Sequence, residues 1–306
     1  MKTAFVCSGQ GSQYVGMLKD IYEQYPAVAE KINKANEILG YKISDIMFEG
    51  PIDELKKTKY TQPALFIHSA IVFDLIKDKI EFDGVAGHSV GEYAALYAAG
   101  ALTFEDALKL VSYRGELMYS AGNDLPGTMF AIIGMDDEKV IEVCEKLNKP
   151  EEGKIIAAAN FNSPGQTVVS GSRDYLREIT GEFKTAGAKM VKELVVSGAF
   201  HSPLMEPAKI ELEKAISETN FSDTIVPIYS NVTAKPLTKS SDIKDALIKQ
   251  LTCPVKWTQS MNEMKADGFT KFIELGPSSV LQGLVKRILS DVEISGIDKA
   301  EDISKF

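Results

Sequence analysis

The 306-residue chain has few of the residues on which several kinds of chemistry depend. It has only three cysteines, Cys7, Cys144 and Cys253, with no C-x-x-C pair among them. That excludes a disulfide framework and a cysteine-rich zinc site, and points to reduced thiols in a cytoplasmic protein. Basic residues are outnumbered, 34 Lys and Arg against 43 Asp and Glu, for a formal charge of -9. Such a chain lacks the basic field that nucleic acid requires. No run approaches ~18 apolar residues, so no membrane span is expected. The apolar run after Met1-Lys2 is too short for the core of a signal peptide. There are no low-complexity tracts and no clear internal repeat. With 44% apolar residues and this length, the expectation is a globular protein of about two domains.

One motif organises the rest. Gly87-His88-Ser89-Val90-Gly91 follows a short strand-like run, Asp83 to Ala86, and precedes a helical run, Glu92 to Ala99. G-x-S-x-G at a strand-to-helix junction is the pattern of a nucleophile elbow. The sharp turn lifts the Ser hydroxyl clear of the sheet, and the glycines let strand and helix close on each other. The amide of Val90 opens the helix and can face a developing oxyanion. The competing reading is a glycine turn that happens to hold a Ser.

A Ser nucleophile needs a base, and the chain has only three histidines. His68 sits in an apolar helical run and reads as core. His88 adjoins Ser89 and reads as support for the elbow. His201, in Ala199-Phe200-His201-Ser202, follows Ser89 in chain order as the His does in elbow hydrolases, so it is the candidate base. No Asp or Glu between them stands out as a third member. The imidazole is therefore expected to lean on another group, such as a backbone carbonyl.

The remaining pattern alternates strand and helix: strand Thr3 to Cys7, helices Ile21 to Leu39 and Gln62 to Ile80, the elbow, then helix Phe104 to Ser120 with Thr103 as N-cap. In that last helix Arg114 interrupts the apolar stripe of Ala107, Leu110, Val111 and Met118. A guanidinium there needs either a structural carboxylate or a carboxylate on a substrate. Residues 126–196 read β-α-β-β-α-β, with a helix from Arg173 to Ala186, and are expected to form a ferredoxin-like insert. Beyond it are expected a helix from Pro203 to Ser217, a strand from Val226 to Tyr229, helices Ile243 to Leu251 and Trp257 to Asp267, a strand from Phe269 to Glu274, a helix from Ser279 to Leu289 and a strand from Val292 to Ile297. The expected class is α/β: a hydrolase-like core with a mostly parallel sheet flanked by helices, spanning 1–125 and 197–306, plus the small α+β subdomain 126–196.

With Gly9-Gln10-Gly11-Ser12-Gln13, the elbow, Arg114-Gly115 and Ala199-Phe200-His201-Ser202 in order, the chain resembles the malonyl-CoA:acyl carrier protein transacylases of bacterial fatty-acid synthesis. Asn160-Phe161-Asn162-Ser163-Pro164-Gly165-Gln166, Tyr229-Ser230-Asn231-Val232-Thr233 and Leu275-Gly276-Pro277 extend the resemblance over nearly the whole chain. It implies that Ser89 takes the malonyl group from malonyl-CoA and that His201 is base and then acid. It implies that the amides of Gln10 and Val90 form the oxyanion hole, that Arg114 pairs with the malonate carboxylate, and that the main-chain carbonyl of Gln250 holds the His. Phe200 matches the malonyl-selective form of its motif. The implied partners are malonyl-CoA and acyl carrier protein, with no nucleic acid and no membrane. The coenzyme A thioester is substrate, no further cofactor or metal is implied, and the location is cytoplasmic. Ser8 departs from the usual Pro and Val90 from the usual Leu. Ser8 leaves the stiffness of the Gly-Gln-Gly loop open. Lys184, Lys189, Lys192, Lys286 and Arg287 are candidates for a basic patch facing an acidic carrier; the plain alternative is a solvated surface. A serine hydrolase with an Asp-supported His and a binding scaffold with an idle Ser are the competing functions.

Overall fold

The computed structural model describes residues 2–305; the outermost expected domain bounds, 1 and 306, lie outside the described residues. Among the described residues, ten strands form two sheets. In chain order they are β1 Lys2–Cys7, β2 Gly84–Gly87, β3 Gly127–Ile133, β4 Ile156–Ser163, β5 Gln166–Ser172, β6 Met190–Glu193, β7 Ile228–Tyr229, β8 Pro236–Leu237, β9 Phe269–Leu275 and β10 Glu293–Ile297.

The larger sheet has the order β10-β9-β1-β2-β7-β8 and is parallel except at the β7–β8 edge. Its centre, β1, pairs in parallel with β2 through Ala4↔Gly84 to Cys7↔Gly87. Successive side chains of β1 point to opposite faces. Phe5 and Cys7 join a core with Val85 and the helix Thr58–Ile76, while Ala4 and Val6 join a second core with Tyr229, Trp257 and Phe272. Both faces are covered, as parallel sheets require. The helix Thr58–Ile76 is buried over most of its length.

The smaller sheet is antiparallel, in the order β4-β5-β3-β6, so the first strand of the insert lies between its third and fourth. That is the β-α-β-β-α-β arrangement expected from 126–196, and it has its own core of Phe130, Ile132, Val169, Leu176 and Phe183. The β4–β5 hairpin turns on Pro164-Gly165, with Gly165 at φ 70°, a position glycine takes without a Cβ clash.

Several element ends differ from expectation, some of them at prolines, and the helix expected from Gln62 to Ile80 runs Thr58–Ile76. The single helix expected from Ile21 to Leu39 is two, Lys19–Gln24 and Pro26–Leu39, because the residue before a proline is driven extended; Tyr25 has φ -118° and ψ 98°. The helix expected from Pro203 begins as a 3-10 turn, Pro203–Met205, followed by Glu206–Glu218. The one expected from Arg173 to Ala186 is divided into Arg173–Glu178 and Thr180–Thr185. The strand expected from Val226 pairs only at Ile228–Tyr229, and Pro227, with no N–H, contributes its carbonyl to Val85. Two short helices, Ile43–Phe48 and Ile52–Leu55, were not expected.

Candidate active site

β2 runs into Ser89, and the helix Gly91–Ala98 starts two residues later. Ser89 has φ 53°, the left-handed region that non-glycine residues seldom occupy. The flanking glycines have a steric reason. A Cβ on Gly87 would lie 2.0 Å from the Gly91 carbonyl carbon, and one on Gly91 would lie 2.2 Å from the Cys7 carbonyl oxygen. The strained turn is held by Asn231. Its Oδ1 accepts from the Ser89 N–H at 2.7 Å, and its Nδ2 donates to the Gly87 carbonyl at 2.6 Å.

His201 stands across the cleft from Ser89, itself at φ 56°. Its Nε2 is 2.8 Å from Ser89 Oγ and its Nδ1 is 2.9 Å from the Gln250 carbonyl oxygen. A carbonyl can only accept, so Nδ1 carries the hydrogen and Nε2 is free to accept from the Ser hydroxyl. Burial, then the Arg114 charge, pushes the imidazole down to about 3, so it is neutral near pH 7. The carbonyl support anticipated for want of an acid is thus supplied by Gln250, at the end of the helix Ser240–Gln250.

Arg114 is fully buried on the helix Phe104–Asp124, whose N-cap Thr103 accepts from Asp106 N as expected. Of the two partners left open for its guanidinium, no structural carboxylate touches it: among the described residues it forms no salt bridge, and the buried Glu92 acts on it only through its charge and through Gln250. Its Nη1 donates to Gln62 Oε1 at 2.7 Å, and its Nη2 donates to Gln250 Oε1 and Ser89 Oγ, each at 3.0 Å. Nε has no hydrogen-bond partner. Burial lowers its proton affinity, yet an Arg remains charged. A buried cation served only by neutral oxygens is a costly arrangement unless a ligand completes it.

Gln10, Ser89, Val90, Phe200 and His201 line one cleft of about 140 Å³, together with Met129, Asn160 and Val168 from the smaller sheet. The cleft therefore lies between the two sheets. Among the described residues, the backbone amides of Gln10 and Val90 donate no hydrogen bond. The loop carrying Gln10 is drawn against the elbow: a Cβ on Gly9 would be 2.6 Å from the His88 carbonyl oxygen. Ser8 anchors it. Its hydroxyl donates to the buried Glu274 at 2.9 Å and its N–H to the Leu275 carbonyl at 3.3 Å, the second of which a proline could not make. Phe200 is 5% exposed and packs into the larger core beside the cleft.

His88 and His68 stand away from the base position. His88 Nε2 is 2.8 Å from Asn162 Oδ1, bracing elbow against insert, and burial lowers its proton affinity. His68 is fully buried, as read, with Nε2 3.2 Å from an Asp298 oxygen but off hydrogen-bond geometry. Lys184, Lys189, Lys192, Lys286 and Arg287 are all exposed, and Arg287 reaches Gln166 of the smaller sheet at 2.7 Å. Sequence reasoning assigned no role to Gln62, Glu92 or Asn231. The usable signal was a polar side chain in an apolar segment: Glu92 is the sole charge in Gly91–Ala98, and Gln62 lies in a helix buried over most of its length.

A serine on a strand-to-helix elbow faces an imidazole across a cleft between a mostly parallel α/β core and an antiparallel insert, an arrangement suited to acyl transfer through a serine ester. The acyl transferase domain family matches residues 4–305. The chain is 44% identical to the malonyl CoA-acyl carrier protein transacylase of Bacillus subtilis, over 99% of this chain and 95% of that one. It superposes with a TM-score of 0.94 on an acyl carrier protein S-malonyltransferase from Vibrio cholerae, at 40% identity, covering 100% of this chain and 99% of the other. The same TM-score, 0.94, is reached at 35% identity with a malonyl-transacylase in complex with its type II polyketide acyl-carrier protein, over 100% and 98% of the two chains. The chain belongs to the malonyl CoA-acyl carrier protein transacylase family. No helix among the described residues is long and apolar enough to cross a membrane, and none of their His, Cys, Asp and Glu side chains cluster as a metal site.

Proposed function

We propose that the chain transfers the malonyl group of malonyl-CoA to the phosphopantetheine thiol of an acyl carrier protein in fatty-acid synthesis, through an ester on Ser89, in the cytoplasm and with no cofactor beyond the thioester itself. The observation that carries this reading is Arg114: a buried cation with no protein carboxylate in contact, 3.0 Å from the Ser89 hydroxyl. A malonyl group esterified at Ser89 brings its distal carboxylate to that guanidinium, where two parallel N–H···O bonds fit a planar acceptor.

The steps follow from the hydrogen-bond directions. Ser89 Oγ attacks the thioester carbonyl carbon while its proton passes to His201 Nε2. The oxyanion rests on the free amides of Gln10 and Val90. The C–S bond breaks, His201 returns the proton to the departing coenzyme A sulfur, and the malonyl ester remains. The pantetheine thiol then gives its proton to His201 and attacks the ester, the C–O bond breaks, and Ser89 recovers its proton. One covalent intermediate shared by two half-reactions gives ping-pong kinetics. Phe200, at the cleft wall, restricts the space beside the malonyl α-carbon. Residues 126–196 form a small ferredoxin-like domain inserted in a large one of 1–125 and 197–306, a division supported by the separate sheet and core of the insert.

Arg114→Ala tests the reading. Malonyl transfer should fall by orders of magnitude, since breaking a buried charge contact costs about 3–5 kcal/mol. Acetyl-CoA should then compete better than it does against the unaltered chain. Retained malonyl preference would remove Arg114 from the substrate site.

A further inference from the structure

Glu92 is not used by the steps above, yet it joins the groups that are. It is the second residue of the helix after the elbow and only 4% exposed. One carboxylate oxygen accepts from Gln250 Nε2 and the other accepts from the Asn231 N–H at 3.3 Å. Both donors reach the nucleophile. Asn231 holds the Ser89 N–H and the Gly87 carbonyl. Gln250 donates to the Ser89 carbonyl at 3.1 Å, accepts Arg114 on its side-chain oxygen at 3.0 Å, and accepts His201 Nδ1 on its main-chain oxygen at 2.9 Å.

Among the described residues, the hydrogen bonds of Glu92 are those from Gln250 and Asn231, both accepted. An ionised carboxylate, an acceptor on both oxygens, serves the two donors best. A carboxylic acid keeps only a weaker acceptor on its hydroxyl oxygen and adds a hydrogen that must be placed, and an amide turns an N–H toward one of the two donors. We propose that Glu92 is a positioning residue that must be ionised for Ser89, Arg114 and His201 to be held together, and that proton uptake by Glu92 disengages either Gln250 or Asn231 and silences acyl transfer. This rests on the reading of Ser89 as the acyl acceptor.

The surroundings place that protonation near neutrality. Burial pushes Glu92 up to about 7, against the opposing pull of the Gln250 and Asn231 hydrogen bonds and of the Arg114 charge. The titratable groups about it are Arg114 on the helix Phe104–Asp124 and Tyr93 on its own helix, whose hydroxyl burial and Glu92 itself push up to about 12 despite Arg114. His201 is reached through the Gln250 carbonyl. The other elements present the amides of Asn231 and Gln250. Neither Tyr93, at about 12, nor His201, at about 3, changes charge near neutral pH.

The test is the pH profile of single-turnover malonylation of the full chain by malonyl-CoA, read by mass spectrometry between about pH 5 and 8.5. The unaltered chain should lose rate below about pH 7, roughly tenfold per pH unit. Glu92→Gln should be slower by about tenfold or more at pH 8 and flat across the range. Glu92→Asp, which keeps an acceptor-only carboxylate at a different depth, should retain an acid limb with a displaced midpoint and regain part of the rate. Should Glu92→Gln not fold, the Asp variant decides alone: an unmoved midpoint overturns the proposal. An acid limb that persists unchanged in Glu92→Gln also overturns it. If the unaltered chain forms no ester at any pH, the reading of the function fails instead, which is a distinguishable result.

Discussion

The Asn231 side-chain oxygen accepts the backbone N–H of Ser89 at 2.7 Å. The residue with the least comfortable backbone in the elbow is thus held by a side chain 142 positions further along the chain. A left-handed conformation in a residue with a Cβ costs about 1–2 kcal/mol, so it persists only when several contacts impose it.

Asn231→Ala removes both the acceptor for Ser89 N–H and the donor to Gly87. Stability should fall by about 1–3 kcal/mol, because two buried backbone groups lose their partners. The acylation rate should fall further than stability accounts for, because Ser89 is free to leave its strained conformation. Denaturant titration alongside single-turnover acylation separates the two effects.

Gly87→Ala should prevent the elbow from closing. Its added methyl would meet backbone atoms 2.0 to 2.3 Å away, and backbone cannot rotate aside as a side chain can. The expected loss is roughly 3 kcal/mol. Gly11→Ala is the control for an exposed glycine: its φ is 107° but nothing lies within 4 Å of the added atom, so only backbone strain applies. Comparing the urea midpoints of the two variants checks the order.

The buried imidazole makes a pH prediction for stability. His201 is held down to about 3 from its ordinary 6.5, so between those values the unfolded chain binds a proton that the folded chain does not. The His201 contribution to stability is then full above 6.5 and declines as pH falls, with a slope of up to about 1.4 kcal/mol per pH unit. Glu92 has the opposite sign: its raised value contributes stability that is full below the ordinary carboxylate range and is lost as pH rises through about 7. The two contributions oppose each other between pH 6.5 and 5, so His201→Gln should leave only the Glu92 contribution and turn a nearly level profile into one in which stability rises as pH falls, measured by denaturant unfolding at each pH.

The sequence made some of this site legible and hid the rest for physical reasons. The elbow was readable because a strained turn needs glycines at fixed positions next to a Ser, and the atoms that crowd Gly87 and Gly91 bear that out. Arg114 was readable because a charge in an apolar stripe demands a partner. His201 could be singled out among only three histidines. Gln250 leaves no comparable trace: the group facing His201 is a main-chain carbonyl, which every residue has, and only the family resemblance pointed to it. Asn231 and Glu92 act through contacts that bridge 139 or more positions, and no local period encodes them. Alternation gave the strands and the insert, while some helix ends moved where a proline or a 3-10 turn altered the first hydrogen bonds, as at Pro26 and Pro203, and others, as at Thr58–Ile76, moved without either.

The most direct measurement is the mass of the peptide containing Ser89 after brief mixing with malonyl-CoA in the absence of carrier protein. A single malonyl ester on that peptide is the predicted result, discharged on adding a carrier with a free phosphopantetheine thiol and absent from Ser89→Ala. An unmodified Ser89 peptide under conditions where malonyl transfer proceeds, or an adduct on another residue, would contradict the account.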